Sequence, residues 1–156
     1  MIDVPVPGAE SLRLEHLVAD FNGTLAVDGS LLPGVADRLR VLADRLAIHV
    51  VTADTFGLAA RALHGLPLRL TVLADGPHAV AKQRYAQNLG AQHCAAIGNG
   101  RNDELLLATV KLGIAVIQGE GAALRSLLKA EVLAPDIGTA LDLLLHPTRL
   151  SATLRR

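Results

Sequence analysis

Short apolar runs alternate with amphipathic stretches along the whole chain, and this pattern predicts alternating strands and helices. The predicted strands are 14–19, 47–51, 68–73, 94–97, 114–117 and 132–133. Strands separated by helical stretches are typical of βαβ units, in which parallel strands form one sheet covered by helices. The expected fold class is therefore α/β, with three layers around a central parallel sheet.

The stretches between the apolar runs carry helical spacing and helix-boundary residues. After Pro33-Gly34, apolar residues recur at Val35, Leu39, Leu42 and Leu46, which predicts a helix with one buried face. The other predicted helices begin near Thr55, Pro77 and Asp103 and cover 121–129 and 137–145. His64-Gly65 and Gly90 are the predicted ends of the first two, since glycine readily adopts the left-handed conformation that closes a helix.

Two features modify this regular alternation. Leu25 to Val27 and Leu31-Leu32 flank Asp28-Gly29, a turn signal that predicts a short β-hairpin flap after the first strand. The basic C-terminal tail, 147–156, has weak order signals and is expected to be mobile. The remaining pattern contains no linker or repeat, so residues 1–156 are predicted to form a single domain.

Composition narrows the possible partners and the expected location. Hydrophobic residues make up 51% of the chain and aromatic residues only 2%, so the core must be aliphatic. Fifteen basic residues balance fifteen acidic ones, which gives no electrostatic reason to expect a nucleic-acid partner. A single cysteine, Cys94, excludes an intrachain disulfide and a Cys-rich zinc site. The sequence has neither a signal-peptide pattern nor a membrane-length apolar run, so we expect a cytoplasmic protein without membrane insertion.

Polar residues directly follow three of the predicted strands. Asp20 follows the first strand, Thr52 the second, and the loop 98–103 the fourth. In open parallel sheets, ligands bind at the carboxyl ends of the strands, so these residues are expected along one edge. Lys82 lies on the helix that precedes the fourth strand.

Phosphoryl transfer is the chemistry that this set of residues predicts. A carboxylate such as Asp20 can attack phosphorus and form an acyl phosphate, which divides one difficult hydrolysis into two easier steps. A divalent cation offsets the repulsion between carboxylate and phosphate, and Mg²⁺ usually takes one or two carboxylates, here Asp20 and Asp103. Thr52 and a neighbouring backbone N–H are expected to hold phosphoryl oxygens, and Lys82 to neutralise their charge.

The same residues resemble the four motifs of the haloacid-dehalogenase-like superfamily. Residues 17–25, LVADFNGTL, resemble its first motif, an apolar strand followed by Asp-x-Asp-Gly-Thr. Residues 50–52, VVT, resemble the second, Lys82 fits the third, and residues 98–103, GNGRND, resemble the fourth, Gly-Asp-Gly-x-Asn-Asp. By pattern the chain looks most like the phosphorylation domain of P-type ATPases and its stand-alone soluble homologues.

This resemblance implies a role for each matching residue. The implied catalytic residues are Asp20, Asn22, Thr52 and Lys82. The implied phosphate-binding residues are Gly23, Thr52, Ala53 and Lys82. The implied Mg²⁺ ligands are Asp20, the backbone carbonyl of Asn22, Asn99 and Asp103. The implied supporting residues are Thr24, Gly98 and Asn102.

Two departures from the family pattern change the expected activity. Asn22 stands where family phosphatases carry a second Asp as general acid and base, and losing such a group typically costs ~10²–10⁴ in rate. Asn99 replaces an acidic residue of the fourth motif, and its amide oxygen is a weaker, neutral metal ligand. We therefore predict a slow Mg²⁺-dependent phosphohydrolase working through an aspartyl phosphate, with a weakly active Mg²⁺- and phosphate-binding regulatory module or partner subunit as the alternative.

The segments between the motifs leave no room for a cap domain. The stretch from Asp20 to Thr52 holds a hairpin, one helix and one strand, and the stretch from Thr52 to Lys82 is as short. In the family, such capless chains act on large phosphorylated substrates or use a neighbouring subunit as a lid. The expected partners are a phosphorylated substrate and a homo-oligomer that covers the open site.

Each predicted site residue also has an ordinary structural interpretation. Asp20 can be a turn residue, Thr52 can satisfy a backbone group, and Lys82 can be a solvated helix lysine. Asn102-Asp103 can cap a helix, which is compatible with metal binding. The six histidines show no paired metal spacing and are expected to be ordinary polar residues, while Cys94 is expected to be buried.

Overall fold

A six-stranded, all-parallel sheet forms the centre of the molecule in the computed structural model, which describes residues 1–54 and 57–156. Its strands are β3 (His16–Ala19), β6 (Ala47–Thr52), β7 (Arg69–Val72), β8 (Cys94–Gly98), β9 (Leu112–Val116) and β10 (Val132–Ala134). Two small antiparallel hairpins complete the strands: β1 (Ile2–Val4) with β2 (Leu12–Leu14), and β4 (Ala26–Val27) with β5 (Ser30–Leu31). The sheet order is β10-β9-β8-β3-β6-β7.

Helices cover both faces of this sheet. They are α1 (Val35–Ala43), α2 (Leu58–Ala62), α3 (His78–Leu89), α4 (Glu104–Thr109), α5 (Leu124–Leu127), α6 (Ile137–Leu145) and α7 (Pro147–Leu154). Helices α1 and α6 bury their apolar faces together with the β1–β2 hairpin, whereas α3 and α4 pack on the opposite face. The predicted three-layer α/β fold is confirmed. No helix of the described part is long and apolar enough to span a membrane.

The chain reverses its direction of travel across the sheet at β3. From β3 it runs outward to β6 and β7, then returns to β8 on the other side of β3. Ala19 is in register with Val50 on one neighbour and with Ile97 on the other. Asp20 therefore follows β3 at the switch point, where open α/β sheets form their ligand-binding crevice.

The predicted hairpin flap is confirmed in β4 and β5. Its turn residues Asp28 and Gly29 both have positive φ, 51° and 76°. This is the conformation of a type I′ turn, which Asp-Gly accommodates well. Within the described residues, the segment between β3 and β6 consists of this flap and α1, in agreement with the expected absence of a large insert.

Three expectations about the elements need correction. The run predicted as one strand, 14–19, is split at Glu15 because β2 turns back to pair with β1. The tail expected to be mobile forms α7, since Leu150 is fully buried and Ser151 Oγ donates a hydrogen bond to the Pro5 carbonyl. Helix α5 covers only Leu124–Leu127 of the expected 121–129. The predicted helix start at Thr55 lies outside the described residues.

Candidate active site

Asp20 is held at the end of β3 by its backbone and by a buried lysine. Its N–H donates to the Ile97 carbonyl at 3.1 Å, which continues the pairing of β3 with β8. Lys82 Nζ donates to Asp20 Oδ1 at 2.6 Å. The Lys82 side chain, on α3, is 0% exposed, and the Asp20 residue is 7% exposed. The solvated-lysine interpretation of Lys82 is therefore wrong.

Asp103 is the second anionic partner of Lys82. Its Oδ1 accepts a hydrogen bond from Lys82 Nζ at 2.7 Å, and the carboxylate is fully buried. Its Oδ2 accepts the backbone N–H groups of Asn99 at 3.1 Å and Gly100 at 3.0 Å. A Cβ at position 98 would lie 2.5 Å from the Asp103 carboxyl carbon. Gly98 is thus required for this carboxylate to sit beneath the loop.

Two carboxylates share one ammonium group in this charged cluster of Asp20, Lys82 and Asp103. Burial, and then the charge of Asp103, raise the pKa of Asp20 to about 7, although Lys82 opposes the shift. Burial alone would lower the pKa of Lys82, but the two carboxylates outweigh it and the pKa is raised. With Lys82 charged and both acids ionised, the cluster carries one unpaired negative charge, which favours an added cation.

A cavity of about 270 Å³ opens above Asp20 at the carboxyl edge of the sheet. The residues lining it are Asp20, Asn22, Thr52, Ala53, Asp54, Asn99, Gly100, Asn102 and Glu120. Thr52 reaches it from the end of β6, the strand beside β3, and is 3% exposed. The predicted site residues from the ends of β3, β6 and β8 therefore lie around one cavity, and their chemical roles stay predictions.

The two asparagines that depart from the family pattern hold the loops around this cavity. Asn22 Oδ1 accepts the backbone N–H of Gly29, which ties the loop after β3 to the flap, at 3.2 Å. Asn99 Oδ1 accepts the hydroxyl of the buried Thr24 at 3.1 Å. Asn99 Nδ2 donates to the Gly121 carbonyl at 3.0 Å. Both side chains thus already have hydrogen-bond partners within the protein.

Three polar residues near the cavity were not among the predicted site residues. Asp54 lines the cavity and accepts the N–H of Ala59 with Oδ2 at 2.9 Å, which satisfies the first turn of α2. Gln118 donates from Nε2 to the carbonyls of Gly23 (3.1 Å) and Thr24. Glu120 lines the cavity from the same loop as Gln118, after β9. Gln118 and Glu120 follow β9. The expectation that site residues follow the strands of a parallel sheet would have identified both if it had been applied to β9.

The donors around the cavity are oxygen atoms of carboxylates, amides and the backbone. Mg²⁺ is a hard cation that binds through one or two carboxylates and completes its octahedron with water and phosphate oxygens, so this donor chemistry fits it. In residues 1–54 and 57–156, no three His, Cys, Asp or Glu side chains form a group that could hold a metal. A cation in this cavity would be bound by Asp20, by backbone and amide oxygens, and by few other carboxylates.

Sequence comparison identifies two uncharacterised relatives of this chain. No family model matches the sequence. An uncharacterised protein of Methanocaldococcus jannaschii is 44% identical over 84 residues, which cover 51% of this chain and 90% of that protein. A second uncharacterised protein of the same organism is 44% identical over 39 residues, covering 25% of this chain and 89% of that protein.

Solved structures match over nearly the whole chain. The cobalt-bound deoxy-D-mannose-octulosonate 8-phosphate phosphatase of Haemophilus influenzae has a TM-score of 0.72 at 16% identity, covering 90% of this chain and 92% of that one. The 3-deoxy-D-manno-octulosonate 8-phosphate phosphatase of Moraxella catarrhalis, in complex with magnesium, phosphate and its sugar acid, has a TM-score of 0.67 at 16% identity with the same coverage.

A third solved structure carries the superfamily name. This Legionella pneumophila protein, assigned to subfamily III A of the haloacid-dehalogenase superfamily hydrolases, has a TM-score of 0.72 at 19% identity and covers 90% of this chain and 87% of that one. The narrower resemblance to P-type ATPase domains stays a prediction. The chain therefore has the fold of these haloacid-dehalogenase superfamily hydrolases.

Proposed function

We propose that this protein is a Mg²⁺-dependent phosphohydrolase that forms an aspartyl phosphate on Asp20. The observation that carries the proposal is the charged cluster: a carboxylate at the switch point of the sheet, paired at 2.6 Å with a fully buried lysine and facing a cavity. The phosphatases with the same fold support the reaction class.

Asp20 and Thr52 have complementary positions for the first step. An Asp20 oxygen bonds to phosphorus, and the bond from phosphorus to the substrate's leaving oxygen breaks. Thr52 and Ala53 line the same cavity as Asp20, and the Thr52 hydroxyl and the backbone N–H beside it would hold the phosphoryl oxygens. Lys82 keeps its charge next to Asp20, which stabilises the ionised nucleophile and the added negative charge.

Water then hydrolyses the acyl phosphate, releasing inorganic phosphate and restoring the Asp20 carboxylate. Mg²⁺, held by Asp20 and the Asn22 carbonyl, would supply a Lewis acid that neutralises phosphate charge in both steps. Asn22 cannot exchange a proton with the leaving group or with the attacking water. Its side chain is instead bonded to the flap at Gly29, so both steps proceed without the usual general acid and base.

This last observation favours a second candidate function. A site that accepts a phosphoryl group but releases it slowly suits a regulatory module whose phosphorylated or Mg²⁺-bound state is recognised by another protein. The two candidates share the site and differ in turnover. The alternative is supported if a fluoro-metal phosphate mimic binds with Mg²⁺ while hydrolysis stays near the background rate.

The substrate proposed for the first function is a phosphorylated molecule that reaches an uncovered cavity. Only the β4–β5 flap and α1 lie between β3 and β6 in the described part of the chain. A large substrate, or a second copy of the chain acting as a lid, would exclude water from such a site. We propose a homo-oligomer for that purpose, testable by sedimentation.

Hydrolysis of an aryl phosphate with Mg²⁺ tests the proposed function directly. We expect wild-type turnover that requires Mg²⁺, is abolished by EDTA, and falls by at least ~10³-fold in Asp20→Asn, because the nucleophile is lost. Asp75→Asn, an exposed acid in the loop before α3, is the matched control and keeps wild-type rate. Equal hydrolysis rates for wild type and Asp20→Asn would contradict the proposed role of Asp20 as nucleophile.

A further inference from the structure

We infer that Glu120, rather than Asp103, is the carboxylate that joins Asp20 in holding the divalent cation. This inference rests on the proposed function and deepens it by reassigning one metal ligand. It depends on three observations: how Asp103 is bonded, how Asn99 is bonded, and where the Glu120 carboxylate lies.

Both carboxylate oxygens of Asp103 already accept hydrogen bonds within the protein. Oδ1 accepts Lys82 Nζ at 2.7 Å, and Oδ2 accepts two backbone N–H groups at 3.0 and 3.1 Å. The side chain is 0% exposed and is not part of the cavity wall. To reach a cation in the cavity, Asp103 would have to break its bonds to Lys82 or to the loop after β8, which would leave buried polar groups unpaired. Asp103 is therefore the anchor of Lys82 and of the loop.

Asn99 is equally committed and is neutral. Its Oδ1 accepts the Thr24 hydroxyl and its Nδ2 donates to Gly121. These bonds connect the loops after β3, β8 and β9, so turning the amide toward a cation would break both connections. Asn99 and Asp103 of the fourth motif thus hold the loops around the cavity in place. A cation bound by Asp20 therefore needs a second charged ligand from outside this motif.

Glu120 lies where that ligand is needed. It enters the cavity from the loop after β9, and its Oε2 lies 2.8 Å from the point that a Gly23 Cβ would occupy. Gly23 follows the peptide carbonyl of Asn22, one of the predicted cation ligands. Any side chain at Gly23, whose φ is +79°, would collide with the Asn99 amide and with Glu120. Gly23 therefore permits the close approach of Glu120 to the backbone that directly follows the Asn22 carbonyl.

Asp54 is the other carboxylate on the cavity wall, and its position suits it less well. Its Oδ2 caps the first turn of α2 through Ala59 N–H. It follows Thr52 at the end of β6, on the side assigned to the phosphoryl oxygens, where a negative charge would repel substrate. Glu120 comes from the opposite side and leaves the space next to Thr52 open.

Charge supports the same assignment. Lys82 neutralises one of its two carboxylate partners, so the charged cluster presents a single negative charge to the cavity. Glu120 adds a second, which gives the paired negative charge typical of protein Mg²⁺ sites. A flexible, exposed glutamate can also adjust to the strict octahedral geometry of Mg²⁺ at little cost to the fold.

Mn²⁺ binding followed by electron paramagnetic resonance tests the inference without relying on turnover. Wild type, Glu120→Gln, Asp20→Asn and the control Glu131→Gln, an exposed acid remote from the cavity, are titrated with Mn²⁺ alone. We expect Glu120→Gln to weaken Mn²⁺ binding on the order of 10–100-fold, with Glu131→Gln unchanged. The half-saturating Mg²⁺ for hydrolysis should rise in parallel, with the rate recovering at high Mg²⁺.

The outcomes separate this inference from the proposed function. Weakened binding in both Glu120→Gln and Asp20→Asn supports both. Wild-type affinity in Glu120→Gln, together with weakened binding in Asp20→Asn, overturns the role of Glu120 and leaves the proposed function standing. Absence of Mn²⁺ binding by wild type overturns the cation site altogether, and aryl phosphate hydrolysis then shows whether any phosphohydrolase activity exists without it.

Discussion

Two polar clusters lie at opposite ends of β3 and α3. At the carboxyl ends is the charged cluster of Asp20, Lys82 and Asp103. Toward the amino ends is a histidine cluster of His16, His49 and Tyr85. Strand β3 contributes to both clusters, and α3 supplies Lys82 to one and Tyr85 to the other. The two clusters therefore share β3 and α3 and differ in the charge of their side chains.

The histidine cluster consists of polar groups that are hydrogen-bonded to each other. His16 Nδ1 lies 3.2 Å from His49 Nε2, and His49 Nδ1 lies 3.0 Å from the Tyr85 hydroxyl. The Thr71 hydroxyl donates to the Tyr85 oxygen at 3.4 Å. Burial, then the charges of His16 and Arg69, lower the pKa of His49 to about 4, so it is neutral at physiological pH. Its hydrogen-bonding groups face each other across β3, β6 and α3.

The difference lies in charge balance and in the opening to solvent. Polar groups that satisfy one another's hydrogen bonds are stable without a ligand, and they contribute to packing and specificity. The charged cluster has two acids for one base, and Asp20 faces a cavity where a cation and a phosphoryl group can complete the balance. An unbalanced polar cluster with an opening is thus the better marker of chemistry than burial of polar groups alone.

Asn22→Asp is expected to have the largest effect, because it would give the charged cluster the proton-transfer group it lacks. We expect kcat for aryl phosphate hydrolysis to rise by ~10²–10⁴-fold, the usual contribution of a general acid and base. The control is Asn88→Asp, an exposed residue on α3, which leaves the rate unchanged. An unchanged rate in Asn22→Asp would mean that proton transfer does not limit turnover.

Lys82→Met breaks the charged cluster itself and should come next in magnitude. Two carboxylates would remain buried without a counter-charge, and removing one partner of a buried ion pair typically costs about 3–5 kcal/mol. Urea unfolding at pH 8 measures the loss. Adding Asp103→Asn to Lys82→Met should restore part of it, because only one buried acid then remains.

The control for this prediction is Lys129→Met, since Lys129 is exposed. Equal losses of stability in Lys82→Met and Lys129→Met would show that the buried ammonium does not hold the two acids in place. Loss of stability without any rescue by Asp103→Asn would point to packing of the lysine stem as the main contribution.

The elements that the sequence predicted well are those with long, uniform patterns. The six sheet strands and the Asp28-Gly29 hairpin were readable because apolar runs and turn residues determine them locally. Helix α7 was not, because its stability comes from Leu150 packing on the β1–β2 hairpin, more than a hundred residues away in sequence. Local patterns cannot reveal such a long-range contact.

The same distinction applies to the site. Motif spacing predicts that Asp20, Thr52, Lys82 and Asp103 come together. Asp20 and Thr52 line one cavity, and Lys82 bonds Asp20 to Asp103 without either Lys82 or Asp103 lining it. Motif spacing could not predict that Asp103 uses both oxygens within the protein, or that Glu120 enters the cavity from the loop after β9. Those facts depend on side-chain direction in loops, which has no periodic signal in the sequence.

Asp20→Asn in the absence of metal tests whether ionised Asp20 is the buried negative charge that lowers the stability of the folded protein. Between the ordinary Asp value of 3.8 and about 7, folded Asp20 keeps a proton that unfolded Asp20 has released, so stability falls as pH rises through this window. Asparagine removes that penalty. We expect Asp20→Asn in EDTA to raise Tm at pH 8 by several degrees, given about 2–4 °C per kcal/mol for a chain of this size.

At pH 4 the same substitution should leave Tm nearly unchanged, because Asp20 is then protonated in the folded state. Measuring both pH values by differential scanning calorimetry separates a charge effect from a general packing effect. A stabilisation of equal size at pH 4 and pH 8 would contradict the assignment of the buried negative charge to Asp20.

The histidine cluster gives the smallest expected effect, with the opposite pH dependence. The pKa of folded His49 is lowered from 6.5 to about 4, so the unfolded chain binds a proton more readily. Its contribution to stability is complete above pH 6.5 and is lost as pH falls toward 4. Glutamine keeps hydrogen-bonding capacity without titrating, so His49→Gln should flatten the fall in Tm over this range, whereas His64→Gln, at an exposed position, should not. A fall in Tm as steep in His49→Gln as in wild type would show that this cluster can accept a proton in place, and would weaken the contrast with the charged cluster.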